Sequence, residues 1–76
     1  MQKNIKLIVL DVAGNRSEFY MKGDPKFDGS VEQLADLMKS LDNVETLTFP
    51  DASGPRVVRV RLGQYATWAL EAVEAA

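Results

Sequence analysis

The sequence predicts an α+β domain in the order β-β-α-β-β-α, with a four-stranded, mainly antiparallel sheet and two helices packed on one face. Three observations support this fold class. Four segments alternate apolar and polar residues, two segments show helical periodicity, and clusters of glycine, proline and aspartate separate them. The length of 76 residues indicates a single domain over residues 1–76.

The first half of the chain predicts a hairpin followed by a helix. Segments 4–11 and 17–22 alternate as strands do and are separated by a short turn. A loop rich in glycine and aspartate covers residues 23–29, and Ser30 and Gln33 have the spacing of a helix capping box. The helix that follows is expected to bury one stripe of side chains: Val31, Leu34, Ala35, Met38 and Leu41.

The second half predicts another hairpin and a second helix. Segments 44–49 and 56–62 are the predicted strands, and residues 64–76 form the predicted helix. Alternation assigns one set of side chains to the core: Leu47, Phe49, Val58, Val60 and Leu62. It assigns the other set to the opposite face of the sheet: Thr46, Thr48, Val57, Arg59 and Arg61.

The pattern Asp-x-x-Gly-x-Arg occurs at residues 11–16 and again at residues 51–56. Two explanations are open, a duplicated hairpin–helix unit or the same local turn chemistry used twice. At the offset of 40, the predicted core residues Phe19 and Met21 align with Arg59 and Arg61, on the polar face. Duplication would therefore need a one-residue shift, and shared turn chemistry is the preferred explanation.

The composition restricts the chemistry of the chain. It contains no Cys and no His, which excludes disulfides, thiolate metal sites and the commonest general base. Asp24, Asp28 and Gly29 match part of a calcium loop, but Lys26 and Ala35 occupy two ligand positions. We therefore expect no catalytic residues, no metal and no cofactor, and we expect that the protein is not an enzyme.

Charge and hydropathy bear on partners and on location. Nine Lys+Arg against eleven Asp+Glu give a net charge of −2 and a pI near 4.9, so bulk attraction to nucleic acid or to anionic membranes is not expected. The apolar run at residues 7–10 is too short to span a bilayer, and the first residues lack a signal-peptide layout. We expect a cytoplasmic protein.

Two predicted surfaces are candidates for binding a partner. The first is the sheet face turned away from the helices, which carries cations and exposes apolar side chains at Ile8, Leu10 and Tyr20, with Arg59 and Arg61 on the second hairpin. The second is the C-terminal helix, whose apolar side is unusually wide and presents Tyr65, Trp68 and Ala72. Aromatic side chains are typical interface anchors.

The leading hypothesis is a small protein-binding module that acts as a regulator or stoichiometric inhibitor by occluding a surface. By analogy of size and charge only, this includes phage-encoded, anti-CRISPR-like inhibitors of host defence. One alternative is a nucleic-acid-binding module that uses the basic sheet face: Lys6, Tyr20, Lys22, Arg59 and Arg61. Another alternative is a self-assembling subunit, for example a homodimer.

Overall fold

The computed structural model describes residues 2–75 and contains two antiparallel sheets and one α-helix. A three-stranded sheet has the order β2-β1-β5, and a two-stranded sheet pairs β3 with β4. The elements in chain order are β1 Lys3–Leu10, β2 Arg16–Lys22, α1 Val31–Leu41, β3 Leu47–Pro50, β4 Val57–Val60, a 3-10 turn at Leu62–Gln64, and β5 Thr67–Glu74.

The predicted single four-stranded sheet with two helices is therefore wrong. The segment predicted as a second helix forms β5, which pairs antiparallel with β1 along its whole length. Alanine, leucine and glutamate favour helix when considered alone, but such propensities are weak and tertiary contacts override them. Trp68, Leu70 and Ala72 occupy one face of β5, but Ala69 and Val73 on the other face are also apolar, which concealed the alternation from sequence reasoning.

The core lies on one face of the three-stranded sheet. Leu7 and Val9 on the central strand are fully buried, and Ile5 is almost so. Phe49, Val60 and Leu62 from the second half of the chain complete the same cluster, as the alternation of that hairpin predicted. The predicted inward set of the second hairpin is thus confirmed in its central members. We call the sheet face that carries Leu7 the inner face.

Helix α1 packs on the inner face but is rotated relative to the prediction. Leu41 is buried as predicted, and Leu34 and Met38 are half-buried. Val31, however, is 76% exposed, Ala35 is also exposed, and Leu37, outside the predicted stripe, packs against the core. Leu37 lies on the helix surface directly beside the predicted stripe. Both surfaces fit the helical period, so periodicity alone could not show which of them faces the core. The predicted N-cap is confirmed, since Oγ of Ser30 accepts a hydrogen bond from the backbone N–H of Gln33 at 3.2 Å.

The two copies of the Asp-x-x-Gly-x-Arg pattern form different turns. Asp11 Oδ1 accepts hydrogen bonds from the backbone N–H groups of Ala13 and Asn15, and Gly14 has a φ of +87°. Asp51 instead accepts from Ser53 N–H and from the Arg56 side chain, and Gly54 has no positive φ. The shared feature is an aspartate that caps its own turn, so the finding agrees with common local chemistry.

Candidate functional site

The face of the three-stranded sheet opposite the core is covered by neither α1 nor the β3–β4 hairpin, because both pack on the inner face. We call it the outer face. Since side chains alternate along each strand and paired residues share a face, its members follow from the register. They are Asn4, Lys6, Ile8, Leu10, Arg16, Glu18, Tyr20, Lys22, Thr67, Ala69, Glu71 and Val73.

Three of the predicted partner-binding residues lie on the outer face. Ile8 and Leu10 lie on the central strand, where Leu10 is 37% exposed and Ile8 is half-buried. Tyr20 lies on β2, directly opposite Lys6, and is also half-buried. The first hairpin was assigned correctly from sequence, so these three side chains occupy the predicted face. Ala69 and Val73 add apolar surface that sequence reasoning missed, because it placed them on a helix.

Ion pairs cross the outer face and reduce its positive charge. Lys6 Nζ lies 3.9 Å from Glu18 Oε2 and 4.0 Å from Glu71 Oε1. Arg16 Nη2 lies 2.6 Å from the same Glu18 oxygen. The hydrogen bond from Arg16, together with the nearby charge of Lys6, holds the pKa of the Glu18 carboxyl below its usual value.

The predicted basic sheet face is therefore close to balanced. Glu71 contributes a carboxylate that sequence reasoning had placed on the final helix. The three cations Lys6, Arg16 and Lys22 face the two anions Glu18 and Glu71. Lys22 is the cation of this face for which the described residues provide no ion pair.

Tyr65, Trp68 and Ala72 do not form the predicted helical surface. Tyr65 follows the 3-10 turn, and Trp68 and Ala72 lie on the inner side of β5, opposite Val9 and Ile5. Tyr65 and Trp68 are half-buried and pack against the core cluster. The predicted binding residues are thus divided between the two faces of the sheet, and the aromatic pair contributes to packing.

Arg59 and Arg61 are exposed, as predicted from the alternation of their strand. Arg59 lies opposite Thr48 on the side of the β3–β4 hairpin that points away from Phe49, and Arg61 follows the end of β4. Neither makes a salt bridge with any of residues 2–75. Arg59 belongs to a different sheet from Lys6 and Lys22, and Arg61 lies just beyond that sheet, so the cations of the proposed nucleic-acid site are not aligned along one sheet.

An open groove of about 990 Å³ lies at one end of the outer face. Outer-face side chains, including Tyr20, Lys22 and Val73, line it on one side, and the turn at residues 50–53 lines it on another. The backbone N–H of Ala52 donates to the carbonyl of Tyr20 at 2.9 Å, which attaches this turn to the edge of β2. This groove could not be predicted from the amino-acid pattern, because it depends on how the two sheets meet.

The carboxylates that sequence reasoning considered for metal binding serve as backbone caps. Asp24 Oδ1 accepts from the N–H of Lys26, and Asp28 Oδ1 accepts from the N–H of Ser30, each at 2.8 Å. Over residues 2–75 there is no cluster of three or more acidic, histidine or cysteine side chains that could hold a metal ion. Within the same range, no helix is both long and apolar enough to cross a membrane.

Comparison of the chain with protein-family models, with curated proteins and with solved structures found no match.

Proposed function

We propose that this chain is a small, non-enzymatic protein-binding module that regulates or inhibits its partner stoichiometrically by covering part of the partner's surface. The observation that carries the proposal is the outer face. A well-packed three-stranded sheet presents Ile8, Leu10 and Tyr20 on a side that no other described element covers. An aromatic and two aliphatic side chains among charged residues resemble the core and rim of a protein interface.

The chemistry of the outer face indicates what the partner would present. Tyr20 lies directly beside Lys6, and Ile8 and Leu10 follow Lys6 along β1 on the same face, so this face calls for a complementary apolar patch. Lys22 borders the groove and has no carboxylate partner among the described residues, so a carboxylate at the edge of that patch would be favourable. We therefore propose a folded protein with an apolar patch and an acidic border. A host-defence protein inhibited by this chain is one form of this function.

The proposed compartment is the cytoplasm. Small secreted domains usually depend on disulfides, because their cores are modest, and this chain has no Cys.

Nucleic-acid binding is less favoured as the function. Lys6 and Arg16 lie beside carboxylates, and the outer face offers one aromatic ring, Tyr20, where single-strand binding normally uses several stacking platforms.

The experiment compares binding by matched surface variants. The tagged protein captures candidate partners from its native cells, and each candidate is purified and titrated against the wild type and against Leu10→Lys/Tyr20→Lys. Val31→Lys is the control, because Val31 is even more exposed than Leu10 and lies on α1, across the sheet from the outer face. We expect a 1:1 complex that the outer-face variant weakens at least about tenfold, since hot-spot side chains typically contribute 2 kcal/mol or more, while the control leaves it unchanged.

Two outcomes would contradict the proposal. One is a partner that binds the outer-face variant as tightly as the wild type. The other is oligonucleotide binding at low salt that weakens steeply as salt rises and depends on Lys22, Arg59 and Arg61, which would favour the nucleic-acid alternative.

A further inference from the structure

β5 has a free edge, which is a different part of the sheet from the outer face. Within residues 2–75, β5 pairs with β1 on one side and no strand lies along its other side. It is eight residues long and has two charged side chains, Glu71 and Glu74. A long, largely apolar edge strand is a template for pairing with another strand, and proteins usually protect such edges.

The register shows which backbone groups this edge offers. The N–H of Ala75 donates to the carbonyl of Gln2, in line with the β1–β5 pairing. In an antiparallel ladder, alternate residues point their backbone groups to the same side. The odd-numbered residues of β5 therefore bond to β1. The N–H and C=O groups that point to the free edge belong to Trp68, Leu70, Ala72 and Glu74.

The other edge of the sheet is different. The carbonyl of Tyr20 at the edge of β2 accepts a hydrogen bond from Ala52, and Met21 forms a bridge with Asp51. Part of the β2 edge is thus already occupied by the turn of the second hairpin. An assembly that uses the β5 edge alone joins two copies and then closes, whereas two open edges would permit a filament.

The sequence of β5 is complementary to itself in one register. A two-fold axis through Leu70, perpendicular to the sheet, keeps the inner faces of both copies on the same side. It places Trp68 opposite Ala72, Ala69 opposite Glu71, and Thr67 opposite Val73, with the large indole ring against a methyl group. The open backbone groups of residues 68, 70 and 72 then become hydrogen-bonded pairs.

Both adjacent symmetric registers are less favourable. An axis through Ala69 would pair only residues 67–71 of β5, whereas the axis through Leu70 pairs residues 67–73. An axis through Glu71 would place two copies of that carboxylate directly opposite each other, and like charges at that position destabilise a strand pair. An axis through Leu70 avoids any direct pairing of like charges along β5.

We propose that two copies of this chain pair through antiparallel β5 edges about a two-fold axis at Leu70, forming a continuous six-stranded sheet. The occupant of the edge is a second copy, because the match of side-chain sizes, the hydrogen bonding and the absence of like-charge contacts just described belong to β5 itself.

The test is sedimentation equilibrium over a wide concentration range, using two kinds of variant. Ala72→Pro removes an N–H that points to the free edge, leaves the β1–β5 ladder complete, and should abolish dimerisation. Ala72→Ser keeps the N–H and is its matched control, which should dimerise like the wild type. Circular dichroism checks that both variants are folded.

The second pair of variants tests the register without touching the backbone. Ala69 is exposed on the outer face, opposite Glu71 of the other copy in the proposed pairing. Ala69→Lys creates two cross-strand ion pairs per dimer and should tighten dimerisation roughly threefold to tenfold, whereas Ala69→Glu should weaken it by a similar factor. High salt should diminish both effects.

Three results would overturn the proposal. They are a wild type that stays monomeric at millimolar concentration, a folded Ala72→Pro variant that still dimerises, and Ala69 variants of opposite charge that dimerise equally. If Ala72→Pro does not fold, the comparison of Ala69→Lys with Ala69→Glu tests the proposed dimer on its own.

Discussion

Trp68 lies directly opposite Val9 across the β1–β5 pair, on the inner face of the sheet. The indole ring is half-buried against the core, and Val9 is fully buried. This relationship changes the interpretation of the aromatic residue. From the sequence, Trp68 was expected to contact another chain from a helix, whereas in the folded protein it covers one end of the central strand.

We therefore predict that Trp68→Ala lowers the free energy of unfolding by about 2–3 kcal/mol, since truncation removes packing against Val9 without a replacement. Leu10→Ala is the matched control, because Leu10 lies on the outer face and is 37% exposed, and its cost should stay below about 1 kcal/mol. Urea denaturation followed by circular dichroism measures both. Equal costs for the two variants would contradict the assignment of Trp68 to the core.

The two related turns should respond differently to the same substitution. Gly14 has a φ of +87°, a conformation that costs an L-residue about 1–2 kcal/mol, so Gly14→Ala should destabilise the protein by about that amount. Gly54 has no positive φ, and a Cβ built there meets no atom within 4 Å. Gly54→Ala should change stability by less than about 0.5 kcal/mol. Chemical denaturation of both variants tests this, and equal losses would mean that the turns are conformationally equivalent.

Acid sensitivity should depend on Asp51. Its carboxyl is 6% exposed, and hydrogen bonds from Ser53 and from Arg56 hold its pKa below the usual 3.8. A pKa lowered in the folded state stabilises the protein above the unfolded-state value and ceases to do so as pH falls through the folded-state value. Stability should therefore fall as pH drops below about 4.

Two variants isolate this effect in unfolding curves measured between pH 7 and pH 2. Asp51→Asn removes the titrating group and should reduce the loss of stability in acid. Arg56→Gln removes one stabilising partner, so the acid loss should begin at a higher pH than in the wild type. An unchanged pH profile in both variants would show that Asp51 contributes nothing to acid unfolding.

Sequence reasoning succeeds where interactions between residues close together in the chain determine the local structure. The first hairpin, the Ser30 cap and the inward residues Phe49 and Val60 could all be predicted, because turn chemistry, capping and alternation act over a few residues. The outer-face position of Ile8, Leu10 and Tyr20 followed from the same alternation. The rotation of α1 could not be predicted, because two adjacent apolar stripes fit the same period.

β5 could not be predicted from its own residues. Ala69 and Ala72 fit either face of a strand or any side of a helix, and the deciding interaction is pairing with β1, about 60 residues earlier in the chain. That error removed Glu71 from the outer face and concealed both the charge balance and the free edge. The charge balance of the outer face therefore depends on the long-range pairing of β5 with β1.

The central claim is that residues 67–74 form an edge strand along β1, and one measurement tests it directly. Leu7 and Leu70 are paired across β1 and β5, and the register makes them a non-hydrogen-bonded pair, with α-carbons about 4.5 Å apart in an ideal ladder. We predict a strong nuclear Overhauser effect between the α-protons of Leu7 and Leu70, with strand-type carbon shifts over residues 67–74. Helical shifts over this segment, with no effect between the two α-protons, would contradict the claim.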